Sequence, residues 1–258
     1  MFWNRTKPAN VVERRRHRLS DGRRIYAIGD IHGRDDLFAG IIDRIRADSA
    51  ARDAANGKAA VTIILLGDLV DRGPQSAEVV DRAIALGQEF DDLHLIVGNH
   101  EECFLAALTG SERRVRYFSR IGGDATMRSY WPADEDYDSL CFETLAAQLP
   151  RHVPQAHIDF LNAGEDLIQI DDFVFVHAGV RPGVPLERQK VHDMRWIREE
   201  FLDDFSDHGG LVIHGHTITD EPDIQINRIG IDTGAFMSGR LTAIGIEGEE
   251  LWYLRAEN

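Results

Sequence analysis

Five apolar, β-rich runs in this chain each stop at a glycine or histidine followed by a knot of polar residues. Residues 24–28 run into Gly29-Asp30-Ile31-His32-Gly33-Arg34, and 61–66 into Gly67-Asp68-Leu69-Val70-Asp71-Arg72-Gly73. Residues 93–97 lead to Gly98-Asn99-His100-Glu101, 173–176 to His177-Ala178-Gly179, and 211–213 to His214-Gly215-His216-Thr217. Apolar runs without polar alternation read as strands buried on both faces. Between them, Leu37, Phe38, Ile41, Ile42 and Ile45 recur at helical spacing and predict a helix over 35–46, with further helices over 76–86 and 101–108. Buried strands alternating with helices predict an α/β fold whose sheet is covered on both sides. Ligands in open α/β folds gather at the carboxyl ends of strands, which is where every polar knot falls.

Residues 110–165 break this rhythm. They predict an α-helical insertion, with helices near 114–130, 138–149 and 155–163 packed around Phe104, Phe118, Tyr130 and Trp131. Strands return at 167–170, and the segments 225–231, 241–246 and 251–255 read as a run of antiparallel strands. Residues 1–22, with Arg14-Arg15-Arg16 at their centre, read as a solvated basic lead-in, which leaves one domain over 23–258. The 258 residues are 43% hydrophobic, enough for a sizeable core. Lys and Arg number 29 against 44 Asp and Glu, and the net charge of −15 argues against a nucleic-acid partner. No apolar run reaches signal-peptide or membrane-spanning length, so no membrane partner is expected. Cys103 and Cys141 read as reduced thiols, and the expected location is the cytoplasm. The chain gives no sign of its oligomeric state.

The knots supply carboxylate oxygens, imidazole nitrogens and an amide oxygen, without a thiolate. Such donors suit manganese, iron, zinc, cobalt or nickel. A carboxylate can bridge two ions, and two ions about 3.5–4 Å apart clamp a phosphoryl group for in-line displacement. Two divalent cations held by Asp30, Asp68 and a hydroxide keep a net positive charge that attracts a phosphate dianion. Arg72 and Arg198 stand close enough in sequence to fork onto its oxygens. Blander readings exist for each residue: Asp30 and Asp68 as helix caps, Asn99 as a turn residue, Arg72 as surface ion-pair material. They lose weight because the knots recur at so many strand ends. His94, His152, His157, His192 and His208 lack any motif and read as ordinary surface or packed histidines. Arg113, Arg114 and Arg116 read as a solvated helix face, with the rim of the cleft as the alternative.

Gly-Asp-x-His-Gly, Gly-Asp-x-x-Asp-Arg-Gly and Gly-Asn-His-Glu, in this order and spacing, resemble the calcineurin-like metallophosphoesterases, and more narrowly their phosphoprotein phosphatase branch. The tail Ile231-Asp232-Thr233-Gly234-Ala235, then Gly239-Arg240-Leu241-Thr242, is similar to bacterial and phage Ser/Thr phosphatases and to bacterial diadenosine tetraphosphatases. The resemblance spans residues 25 to about 246 and implies a β-sandwich of mixed sheets flanked by helices. It further implies that Asp30 and His32 bind a first metal, that Asp68 bridges, and that Asn99, His177 and His216 bind a second, manganese being the first choice. His100 matches the general acid, Asp71 the residue orienting it, and Arg72 a phosphate-binding arginine, with Asn99 also beside the substrate. Arg198 matches only through its Trp-x-Arg context. The implied reaction is in-line attack of a metal-bridging hydroxide on phosphoserine or phosphothreonine, in a phosphorylated protein or a small phosphate ester. The alternative is a bis(5'-nucleosyl)-tetraphosphatase. A non-catalytic phosphate-binding descendant is disfavoured because every ligand position is filled. Where many phosphodiesterases carry a second histidine after Gly-His-x, this chain has Ile218, which favours the phosphatase branch. His214 reads as a packed or supporting histidine, not a ligand.

Overall fold

The computed structural model describes residues 17–258; the basic stretch up to Arg16 lies outside the described residues. In chain order the elements are β1 (Arg23–Ile28), α1 (Asp35–Asn56), β2 (Ala60–Leu65), α2 (Ser76–Leu86), β3 (Asp92–Leu95), α3 (Asn99–Ala107), α4 (Glu112–Phe118), α5 (Asp124–Ser129), α6 (Phe142–His152), α7 (Gln155–Asn162), β4 (Leu167–Ile170), β5 (Phe173–Val176), α8 (Val191–Trp196), α9 (Glu199–Leu202), β6 (Leu211–His214), β7 (Asp223–Ile224), β8 (Arg228–Gly230), α10 (Ala235–Ser238), β9 (Arg240–Glu247) and β10 (Glu250–Glu257). They form two five-stranded mixed sheets, ordered β10-β9-β1-β2-β3 and β4-β5-β6-β8-β7. The strands β1, β2 and β3 run parallel, as do β5, β6 and β8.

The central strands β1, β2, β5 and β6 each serve two apolar environments. Ile25, Ala27, Ile64 and Ile244 face the interior between the sheets, where they meet Ile168, Phe173, Phe175 and Ile213. Tyr26, Ile28, Ile63 and Leu65 face outward onto Phe38, Ile41 and Ile45 of α1 and Val79 and Val80 of α2. On the far side, Val174, Val176 and Val212 pack against Met194, Ile197 and Phe201. The alternation expected of a strand is present in space but silent in hydropathy, because both faces are dry. The architecture is a β-sandwich flanked by helices. The register pairs Ile28 with Leu65 and Phe175 with Ile213, so the loops after β1 and β2 leave their sheet level with each other, as do those after β5 and β6.

The structure departs from the sequence expectation in three places. Helix α1 continues to Asn56, ten residues past the end predicted at Arg46, and stops at Gly57 with φ 92°. Its extension is rich in alanine, whose helix propensity carries it where hydrophobic periodicity gives no signal. The predicted helix over 114–130 is broken into α4 and α5 by a wide turn at Ser119–Gly123, where Gly122 takes φ 116°. The predicted strand over 225–231 shrinks to β8, which joins the second sheet parallel to β6, while the short β7 precedes the predicted range. Strands β9 and β10 form the long antiparallel hairpin expected of the tail, and the short β7 also pairs antiparallel with β8. Strand partners are chosen by the layer that needs covering, which local pattern does not encode.

The insertion is locked to α3 by aromatic stacking. Phe104 is fully buried and lies 5.4 Å from the Phe118 ring and 5.6 Å from that of Tyr130. Replacing Phe104 with alanine should cost about 3–5 kcal/mol of unfolding free energy. Urea unfolding checks this; a loss under about 1 kcal/mol would mean the insertion is not tied to the sandwich through this ring.

Candidate metal centre

The polar knots after β1, β2, β3, β5 and β6 meet at one edge of the sandwich. His32, Asp68 and His100 bring three donor atoms within 4.8 Å of one another, and so do Asp68, His177 and His216. The two triads share Asp68. Its Oδ2 lies 3.5 Å from His32 Nε2 and its Oδ1 lies 3.4 Å from His177 Nε2, so the carboxylate spans both. The Asn99 Oδ1 completes the second group, 3.0 Å from His177 Nε2. Asp30 falls outside both triads. Its carboxylate accepts the backbone N–H of His216 at 3.2 and 3.0 Å and is hydrogen-bonded to Asp232. A Cβ at Gly215 would sit 2.0 Å from Asp30 Oδ1, so only glycine admits that carboxylate.

Strained backbone concentrates here. Among the described residues, His32, Asp68, Asp71, Arg72 and His216 adopt positive φ without being glycine, and Asp171 alone does so elsewhere. Glu101 offsets much of that strain. Its buried carboxylate accepts the backbone N–H groups of Asp68 at 2.8 Å, Leu69 at 2.7 Å, Val70 at 3.3 Å and Gly98 at 2.9 Å. The sequence reading recorded Glu101 as part of a motif but gave it no task.

Hydrogen bonds fix the imidazole tautomers. His32 donates from Nδ1 to the Val70 carbonyl at 2.8 Å, and His177 donates from Nδ1 to the Leu66 carbonyl at 2.7 Å. Each then turns an unprotonated Nε2 towards Asp68. Around His177 Nε2 lie Asn99 Oδ1 and, at 3.2 Å, His216 Nδ1. The Asn99 oxygen faces the His177 Nε2 lone pair directly, an arrangement that a cation relieves. His216 Nε2 is buried with no hydrogen-bond partner. The electrostatics agree. Burial pushes Asp68 up to about 6, and burial, with help from Asp232 and Asp68, raises Asp30 well above the carboxylate range. Burial pulls His32 well below its usual value and His177 down to about 4. Carboxylates that want a charge neutralised beside imidazoles that refuse a proton fit divalent ions of the borderline class.

A second tier surrounds the triads. His100 Nδ1 lies 2.5 Å from Asp71 Oδ2, and Thr126 from the insertion donates to Asp71 Oδ1 at 2.6 Å. Arg72 reaches His100 Nε2 at 3.2 Å and its guanidinium lies 4.6 Å from the centre of the Phe236 ring. A Cβ at Gly122 would meet Arg72 Cγ at 2.8 Å, so the break between α4 and α5 makes room for this arginine. Arg198 donates to Thr217 Oγ1 at 3.3 Å, next to His216. Thr126, Phe236 and Asp232 were not assigned from the sequence; no motif surrounds the first two, and Asp232 stood only as part of the tail pattern. His214 is packed edge-on against Phe201 and joins neither triad.

This chain belongs to the calcineurin-like phosphoesterase family. The family's calcineurin-like phosphoesterase model matches residues 23–226. The chain is 41% identical over 178 residues to a symmetrical bis(5'-nucleosyl)-tetraphosphatase of Acidovorax ebreus, covering 69% of this chain and 47% of that relative. It therefore spans about half the length of that curated relative. It is 27% identical to an asymmetrical bis(5'-nucleosyl)-tetraphosphatase of Anoxybacillus flavithermus, over 84% of this chain and 88% of the other. A crystal structure described provisionally as a diadenosine tetraphosphatase superposes with a TM-score of 0.61 at 21% identity, over 92% of this chain and 95% of that one, and supports the fold. No helix among the described residues is long and apolar enough to cross a membrane.

Manganese should raise the melting temperature, by the equivalent of about 2.7 kcal/mol when free metal is a hundredfold above Kd. Asp68→Asn should abolish that gain. Because burial holds the Asp68 proton up to about 6, a cation must displace it in acid. Affinity should then fall about tenfold per pH unit below that point for each proton displaced. Calorimetric titration at two pH values measures this; equal affinity on both sides of pH 6 would contradict it.

Proposed function

We propose that the chain hydrolyses phosphoric esters or anhydrides at this centre, with divalent cations and with His100 as the proton donor. The carrying observation is the sharing of Asp68 between two donor triads, with the His100 ring facing the same carboxylate and braced from behind by Asp71. His32 and Asp68 would hold one cation, with Asp30 joining it only by turning from Asp232 and the His216 N–H, and Asp68, Asn99, His177 and His216 would hold the other, manganese being the first choice on donor chemistry. Bound there, two cations lower the pKa of water and neutralise phosphate oxygens.

The chain's own groups do the rest. Asp71 accepts the Nδ1–H of His100 and orients the ring, so that Nε2 is the atom that delivers a proton. That proton goes to the departing oxygen. Thr126 keeps Asp71 from rotating away, because it both donates to Oδ1 and accepts the Asp71 N–H at 2.8 Å. Arg72 exchanges its contact with His100 Nε2 for phosphate oxygens, and Phe236 under its guanidinium holds it in line. Arg198 approaches from the Thr217 side.

The favoured substrate is a dinucleoside polyphosphate, which the names of the Acidovorax and Anoxybacillus relatives support. Phosphoserine or phosphothreonine is the second reading, favoured by the tail around Asp232, and it needs the same chemistry. The two unpaired thiols, Cys103 and Cys141, agree with a cytoplasmic setting.

Two measurements test this. Diadenosine tetraphosphate and a phosphothreonine peptide are assayed side by side with manganese restored after chelation. The first should give the higher kcat/KM, and no hydrolysis of either would refute the enzyme. His100→Asn should lower kcat about 10²–10⁴-fold on an ester with a poor leaving group. Bound manganese should be unchanged; full turnover in that variant would remove His100 from the mechanism.

A further inference from the structure

A cleft of about 580 Å³ adjoins the metal centre, in the size range of small-molecule sites. Its floor is Glu102, Cys103 and Ala106, the turns of α3 that follow His100. At 1.5 Å per residue, Ala106 lies about 9 Å along the helix from His100. One wall is the insertion, with Arg113, Arg114, Arg116, Tyr117 and Arg120; the other is α8, with His192 and Trp196. Arg120 precedes Gly122, whose carbonyl accepts the Arg72 N–H at 3.1 Å, and Trp196 precedes Arg198 by two residues. Its two walls are thus continuous in the chain with the turn that meets Arg72 and with the segment that carries Arg198.

Its lining has two unusual properties for a chain of charge −15. First, Arg113, Arg114 and Arg120 have no carboxylate within 4.0 Å among the described residues, whereas Arg116 pairs with Glu112 at 2.5 Å. Glu102, the one acid on the floor, is already engaged by Arg195 at 3.3 Å and by the Trp196 indole N–H at 3.3 Å. The cleft keeps a positive excess. Second, flat rings are displayed beside those charges. Tyr117 is 51% exposed, and the His192 and Trp196 rings stack at 6.2 Å with 26° between their planes. Arg113 and Arg120, without a carboxylate partner, beside the exposed Tyr117 ring and the half-buried Trp196 match a ligand that has phosphate at one end and a planar heterocycle at the other.

The geometry points to this cleft as the subsite for the nucleoside-phosphate portion of the substrate beyond the cleaved phosphate. This rests on the hydrolase reading and names the residues that would recognise its substrate. Arg113 and Arg120 take the phosphate charge, and Tyr117 and Trp196 offer faces to the base. A phosphopeptide can pair with the arginines, but it has no planar base to lay against the rings, so the rings carry the discrimination.

The test uses the full chain with manganese and two variants, Arg113→Glu/Arg120→Glu and Tyr117→Ala, all exposed positions outside the metal centre. KM for diadenosine tetraphosphate should rise at least tenfold in the double variant and severalfold in Tyr117→Ala. The kinetics of p-nitrophenyl phosphate, which cannot reach the cleft, should stay within twofold. ADP binding followed by tryptophan fluorescence gives a readout free of turnover, and its Kd should weaken at least tenfold in the double variant. Unchanged ADP affinity, or equal losses on both substrates, would overturn the subsite. So would a loss confined to a phosphothreonine peptide. A wild-type protein that binds ADP through these arginines yet hydrolyses nothing would fail the hydrolase reading while leaving the subsite standing.

Discussion

Everything at the centre depends on one carboxylate being held among three imidazoles with no water to separate them. Asp68 faces His32, His100 and His177 from a left-handed backbone that an aspartate adopts only under constraint. The constraint is Glu101, whose single carboxylate gathers four successive or facing backbone N–H groups from the loops after β2 and β3. A buried carboxylate bonded to that many donors is a rigid clamp, and it fixes the direction in which Asp68 points. The rest of the fold supplies the loop ends at the right height and covers them.

The crowding also explains why the centre is built from strand ends. Lone pairs brought within 3–3.5 Å repel unless a cation intervenes, so holding them there needs a stiff support. Strands buried on both faces provide it, and the two sheets contribute different donors: Asp30, His32, Asp68 and Asn99 from the first, His177 and His216 from the second. A shift of one sheet over the other would separate the two triads. The inner layer of Ile25, Ile64, Phe175 and Ile213 is therefore as much a part of the site as its ligands.

Much of this was legible in the chain. The glycine-led knots mark strand ends, and their residue types exclude thiolate metal sites and select nitrogen and oxygen donors. The strand limits at 167–170 and 173–176 were correct, and the gathering of His32, Asp68, Asn99, His100, His177 and His216 at one edge agrees with the motif reading. What escaped were residues that act from a distance in sequence. Thr126 lies 55 residues from Asp71, and Phe236 meets Arg72 from α10, a four-residue helix with no periodic signal. Asp232 stood in a recognisable tail, yet only the folded chain shows it against Asp30. The break at Gly122 was hidden because a helical pattern runs through it.

By itself the sequence determined the chemistry of the donors, the order of the strands that carry them and the family. Those properties are set by residue type and local spacing. The tertiary structure alone decided that Asp68 serves two groups at once, that Asp30 turns to Asp232 and the His216 amide, and that arginines read as a solvated face line a cleft beside the centre. The reason is physical: sharing, pairing and enclosure are relations between side chains far apart in the chain, and only packing brings them to within a hydrogen bond of one another.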